Sequence, residues 1–328
     1  MLHIHNGDSS ANTAKKSNMP GEHLAWREAL ICGPVVSGLP EAEWRTLRAR
    51  HLAEAYDLKF EDCEKGLREQ QEALSRFSAH EEVVLWFEHD LFCQLHLIYL
   101  LDWFARHRLR KTRLSLICVG SFPGIDDFRG LGQLDSEQLA SLFPERHPVT
   151  PAEFKLASKA WAAFSSPDPR GIAALLADNS SGLPFLLPGL RKHLERFPSA
   201  YNGLGLIENK ALELIASGAS QFGEMFPAFG KIEPIYGLGD AQFWLSLQPL
   251  AAAAQPLLTT SNGDGHMPTS SAYFIKTQFA LTEKGQSVLR GQDDFIALNS
   301  IDTWLGGVHL KGKEVWRWDE KQKELIPA

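Results

Sequence analysis

Two short blocks of this sequence combine residue types that bind polar ligands or move protons. The first is Asn6-Gly7-Asp8-Ser9-Ser10, which follows an apolar run from Leu2. Glycine lets the backbone approach a ligand closely, and the first-turn N–H groups of a helix starting there hold an anion. Asp8 and Ser9 are therefore candidate catalytic residues, and Asn6, Gly7 and Ser10 candidate ligand contacts. The same block also suits a plain turn with a helix cap. The second block is Glu88-His89-Asp90, with Gln94 one turn later, after the apolar run over 82–87. A carboxylate beside an imidazole makes an acid–base pair, so Glu88 and His89 are candidate catalytic groups, with Asp90 and Gln94 as ligand contacts. The alternative is helix-start chemistry, with Asp90 as cap and Glu88 balancing the dipole. Arg27 and Glu28, ahead of Gly33-Pro34, join the ligand-binding set, because an arginine clamps a phosphate or carboxylate. An Arg27–Glu88 ion pair is the structural alternative.

Other constellations weigh less. His89, Cys93 and His96 fall on one helical face and His3 and His5 on one strand face, but without a Cys-x-x-Cys or His-Glu-x-x-His spacing no metal is expected. Gly7-Asp8-Ser9 is similar to the nucleophile block of Gly-Asp-Ser-Leu esterases, which need a histidine three residues after a late aspartate. Here Asp302 is followed by Leu305, and Asp264 lies two before His266, so esterase stays a minor alternative. Tyr236-Gly-Leu-Gly-Asp240 precedes an apolar segment and reads as a helix cap rather than a phosphate loop, having no Lys and no βαβ context. Trp304, Trp316 and Trp318 read as a seal on a terminal hairpin.

The elements that must position these blocks follow from periodicity. Leu2 to Asn6 reads as a strand, 23–31 as a second strand, Glu41 to Phe77 as two surface helices, and Glu82 to Phe87 as a strand buried on both faces. Asp90 to His107 has helical spacing, and Leu114 to Val119 supplies another buried strand. Strand, helix, strand in this order implies a parallel crossover, and such sheets hold ligands at the carboxyl ends of their strands. The expected architecture is α/β. A Rossmann-like, mostly parallel sheet spans 1–145, a helical connector 146–200, a winged-helix-like α+β domain 201–300, and a β-hairpin tail 301–328. The winged-helix reading rests on helices before a two-stranded wing with Asn262-Gly-Asp-Gly265 at its tip. In the tail, strands near 303–310 and 314–318 are expected to turn at Lys311-Gly312-Lys313.

Composition bounds the function. The chain has 328 residues, 44% apolar and 22% charged, with a formal charge of -7, which is the profile of a globular protein rather than a disordered or fibrous one. Residues 1–150 carry 17 Lys/Arg against 22 Asp/Glu, so phosphate neutralisation along nucleic acid is disfavoured. The cluster from Arg106 to Arg113 reads as a solvated turn. In 201–301, five Lys/Arg against nine acids argue against DNA contact and leave a protein-interaction role for that segment. No apolar run reaches the ~20 residues of a membrane helix, and the N-terminus has no secretory signal pattern. A cytoplasmic protein with no membrane partner is expected. Cys32, Cys63, Cys93 and Cys118 contain no Cys-x-x-Cys pair and read as reduced structural thiols.

Three segments, Leu2 to Ala11, Trp26 to Val35 and Val84 to Leu95, together resemble the bacterial family called domain of unknown function 1835 over about the first 120 residues. The resemblance rests on a Gly-Asp-Ser start (Gly7 to Ser9), an acidic-x-Leu-x-x-Gly-Pro segment (Glu28 to Pro34) and a Trp strand leading to a Gln-bearing helix (Trp86 to Gln94). Glu28 stands where many members carry Asp. The resemblance implies the fold and the position of the site, and no reaction or cofactor. The functional expectation is binding, with turnover left open, of a polar phosphate- or nucleotide-containing small molecule at the carboxyl edge of the first sheet. The alternative is a ligand-sensing transcription regulator.

Overall fold

The computed structural model describes residues 1–177, 182–261 and 275–327. Its centre is a five-stranded sheet in the order β2-β1-β4-β5-β6, built from β1 (Leu2–Asn6), β2 (Glu22–Trp26), β4 (Glu82–Glu88), β5 (Arg113–Val119) and β6 (His147–Pro148). The first four run parallel and β6 pairs antiparallel with β5 at the edge. The protein is thus a mixed α/β molecule with a mostly parallel sheet, and the second strand stops at Trp26, earlier than its apolar pattern suggests.

The continuous apolar run of β4 reflects burial on both sides. Val83, Leu85 and Phe87 enter the large core, while Val84 and Trp86 enter a smaller one with Ile117 and Leu131. Such strands lose the polar alternation of a half-exposed sheet. On the smaller-core face lie α1 (Asp8–Lys15) and α5 (Ser136–Ser141), which contact each other. On the other face α4 (Leu91–Arg106) packs against α6 (Pro151–Phe164) and α8 (Leu186–Leu194). α4 is buried nearly all round, polar Gln94, His96 and Asp102 included. Two further helices, α2 (Glu41–Tyr56) and α3 (Phe60–Ser75), pair with each other, and α7 (Arg170–Ala177) lies between α6 and α8.

After the connector come α9 (Leu206–Ala216), α10 (Phe222–Ile232) and α11 (Asp240–Ala252), then a two-stranded antiparallel pair, β7 (Leu258–Thr260) and β8 (Phe279–Leu281). The expected wing tip at Asn262 to Gly265 lies outside the described residues. The tail corrects the expected hairpin. β9 (Ile301–Gly306) and β10 (Val308–Gly312) turn at Gly306-Gly307, and a separate pair forms from β11 (Arg317–Asp319) and β12 (Glu324–Ile326). The reason is tertiary. β9 pairs in parallel with β3 (Gly33–Pro34), Gly33 opposite Leu305, and Gly307 donates to the Phe164 carbonyl. The turn is therefore set by a docking partner far away in the chain. Trp304 stacks on His309 with ring centres 4.2 Å apart, and Trp318 is buried. Among the described residues no helix is long and apolar enough to cross a membrane.

Candidate functional site

β1 and β4 are neighbours, with His5 opposite Trp86, so Asn6 and Glu88 leave the sheet side by side. The chain adds β2 on one side of β1 and β5 on the other side of β4. This reversal is the topological switch point at which open parallel sheets hold ligands. A cavity of about 500 Å³ opens there, and Asn6, Ser9, Ser10, Glu88 and Asp90 all line it.

Behind the lining residues Asn6 and Glu88 runs a chain of hydrogen bonds with a definite direction. The Leu30 N–H reaches His96 Nε2 at 3.4 Å, so Nε2 accepts and Nδ1 carries the proton. His96 Nδ1 then donates to Asn6 Oδ1 at 2.7 Å, which orients the amide so that Nδ2 donates to Cys93 Sγ at 3.0 Å. Cys93 also accepts from the Glu88 N–H, and its thiol points to Glu88 Oε2 at 3.5 Å. Burial holds the His96 imidazole down at about 4, so the histidine of this relay is neutral.

Glu88 is the end of this chain that lines the cavity. Burial and the neighbouring Asp90 push its carboxyl up to about 7. Burial pushes Asp90 up to about 6. Asp90 Oδ1 accepts the Cys93 N–H at 2.8 Å as the cap of α4. The donor atoms of Glu88, Asp90 and Cys93 lie within 4.8 Å of one another. Within the protein Glu88 accepts the Leu131 N–H and Asp90 the Cys93 N–H, and burial drives the Cys93 thiol well above its ordinary value. His89 and His96 do not converge.

The walls come from two glycine loops. In Gly130-Leu131-Gly132 the Leu131 N–H donates to Glu88 Oε1, and a Cβ at Gly130 would come within 2.8 Å of that carboxylate. In Gly237-Leu238-Gly239 a Cβ at Gly237, whose φ is +61°, would come within 2.1 Å of Asp90 Oδ1. Only glycine permits both approaches. Arg129 stands at the mouth, paired with Asp127 at 2.6 Å, while Glu233 on the far wall is neutralised by Lys192 at 2.9 Å. No side chain caps the start of α1, which the cavity-lining Ser9 and Ser10 share.

The remaining predicted residues sit elsewhere. Asp8 and Arg27 pair with each other at 2.6 Å, both half-exposed or more, so Arg27 does not pair with Glu88. Gly7 precedes α1 without lining the cavity. Glu28 is consumed in a fully buried pair with Arg48 at 2.7 Å, far inside the core. His89 turns toward Phe128 and Phe185, away from the cavity lining. Gln94 lies behind the site, donating to the Glu88 carbonyl at 2.6 Å. No imidazole bonds Ser9 among the described residues, and Asp302 pairs with His309 on the tail hairpin at 2.6 Å, outside this cavity.

Sequence reasoning missed Arg129, Gly130, Gly132 and Gln133, and took Tyr236 to Asp240 for a cap alone. The available signal was the repeated Gly-Leu-Gly at 130–132 and 237–239. No family model matches the chain, and no curated protein matches it either.

Proposed function

We propose that the chain binds a polar small molecule bearing a phosphate, such as a sugar phosphate or nucleotide, at the β1/β4 edge, and that Glu88 exchanges a proton with it. The observation that carries this reading is a half-buried carboxyl raised to about 7 in the lining of a 500 Å³ cavity, which it shares with Ser9 and Ser10 of the uncapped α1 start and with Arg129. The phosphate sits toward α1 and Arg129, where N–H groups and a guanidinium favour negative charge. Hydroxyl groups sit toward Glu88 and Asp90. Proton transfer is efficient when the group's pKa lies near the working pH.

Within the same proposal, residues 201–300 form a winged-helix-like unit that closes the pocket. What supports this is that α10, the turn after it and α11 supply Phe226, Gly230, Glu233 and Gln242 to the lining. The acidic balance of that unit speaks against DNA contact and hence against the regulator. Membership of the domain of unknown function 1835 family belongs to the proposal too, resting on the three motifs quoted above.

Thermal-shift measurements with nucleoside phosphates and sugar phosphates test the reading. A ligand at 100 times its Kd adds about 2.7 kcal/mol to wild type, and the gain is expected to vanish in Arg129→Gln. If no phosphate ester stabilises wild type more than Arg129→Gln, the reading is wrong.

A further inference from the structure

A second cavity, of about 450 Å³, lies where the first sheet unit, the connector, α11 and the tail hairpin meet. Gln242 lines both cavities, its Oε1 accepting from the Gly239 N–H and its Nε2 donating to the Tyr56 hydroxyl. The walls of the second are mainly apolar, with Leu245, Pro249, Phe295 and Leu310 among them. Against this background three polar groups stand out. Arg196, just after α8, has its Nη1 sealed from solvent with no hydrogen-bond partner. His51 Nε2 on α2 is likewise buried and unpartnered, its ring pressed over Gly33, where a Cβ would lie 2.3 Å away. Glu208 is in the same lining, but it makes no ion pair with Arg196 among the described residues, and burial raises its carboxyl above the ordinary range.

A guanidinium nitrogen excluded from water without an acceptor is unfavourable. Proteins relieve such a cost with a counter-ion, and among the described residues no acceptor lies at hydrogen-bonding distance of this nitrogen. The planar fork of arginine matches a carboxylate. One cation beside two acids, Glu208 and the His309- and Lys311-paired Asp302, does not suit a multiply charged phosphate, and the apolar walls call for an apolar body. We propose that this junction cavity binds a small carboxylic acid with an apolar chain or ring. Its carboxylate lies on Arg196, with His51 Nε2–H as a second donor, and its body fills the space between α11 and the hairpin. The cavity lies within the range of size that binds small ligands.

Octanoate serves as the probe, with octan-1-ol as its uncharged twin, titrated calorimetrically into the full chain. Octanoate is expected to bind at least tenfold more tightly than octanol. Arg196→Met, which removes the charge while keeping an apolar stem, is expected to lower octanoate affinity at least tenfold and leave octanol unchanged. Arg129→Gln, in the other cavity, is expected to leave both unchanged. A readout independent of the variant's folding is quenching of Trp304, which lines the cavity. 8-Bromooctanoate should quench wild-type fluorescence, octanoate should reverse it, and Trp304→Phe should lose that component. Equal binding of acid and alcohol, or no binding of either, would overturn the proposal.

Discussion

Glu88 keeps its proton at a pH where ordinary carboxylates have lost theirs, and that has a cost for folding. Its folded pKa, about 7, lies above the ordinary 4.5, so between those values the native state binds more protons than the unfolded chain. Stability attributable to this group therefore falls as pH rises through that window, and the penalty is complete above pH 7. Glu88→Gln keeps the shape and the acceptor for the Leu131 N–H but cannot ionise. It is expected to match wild type at pH 4 and to exceed it by about 1 to 3 kcal/mol at pH 8, read from urea midpoints at both pH values. A constant difference across pH would contradict the assigned environment. The opposite case is Glu28, whose carboxyl the buried Arg48 guanidinium holds below its usual range. Arg48 also donates to the Cys32, Pro34 and Ala29 carbonyls. Arg48→Met strands a buried carboxylate and three carbonyls, for an expected loss of about 3 to 5 kcal/mol. Adding Glu28→Gln should recover part of it, a coupling that a double-mutant cycle measures directly.

At the level of elements, the two Gly-Leu-Gly loops differ from a glycine with no such duty. Gly66 lies inside α3 with nothing within 4 Å of a built Cβ. Gly66→Ala is thus expected to stabilise by about 0.5 to 1 kcal/mol. Gly130→Ala and Gly237→Ala drive a methyl onto the Glu88 and Asp90 carboxylates, and each is expected to destabilise by about 1 to 3 kcal/mol and to weaken ligand binding in the first cavity. Thermal midpoints of the three variants check this, and equal effects would remove the special role of the loops. The same contrast explains what was legible in the sequence. β1, β4, α4 and β5 were readable because their apolar spacing is a local signal that tertiary packing reinforced. The Gly306-Gly307 turn was not, because its position depends on β3 and on Phe164, more than a hundred residues earlier. Leu131 was equally silent, since an N–H aimed at Glu88 leaves no trace in side-chain pattern.

At the scale of the whole molecule, the first cavity is assembled from residues 6–10, 88–92, 129–133 and 226–242. The sequence pointed to the first two of these groups because each lies at the end of a recognisable strand. The last group is brought in by the docking of α10 and α11, which no spacing within residues 1–145 encodes. The hydrophobic core shows the same dependence, since one continuous cluster contains Leu95 of α4, Leu156 of α6, Leu190 of α8, Phe243 of α11 and Trp318 of the tail. A fragment ending at residue 145 would expose the face of α4 that α6 and α8 cover, an apolar patch that favours collapse or association over a unique fold. The full chain is therefore expected to unfold in one cooperative transition with coincident midpoints by far-UV circular dichroism and tryptophan fluorescence. The fragment is expected to retain helical signal while losing sharp melting and phosphate-ligand stabilisation. Two separated transitions in the full chain, the first leaving the 1–145 portion intact and able to bind, would show that the sheet carries the site by itself and that α10 and α11 merely cover it.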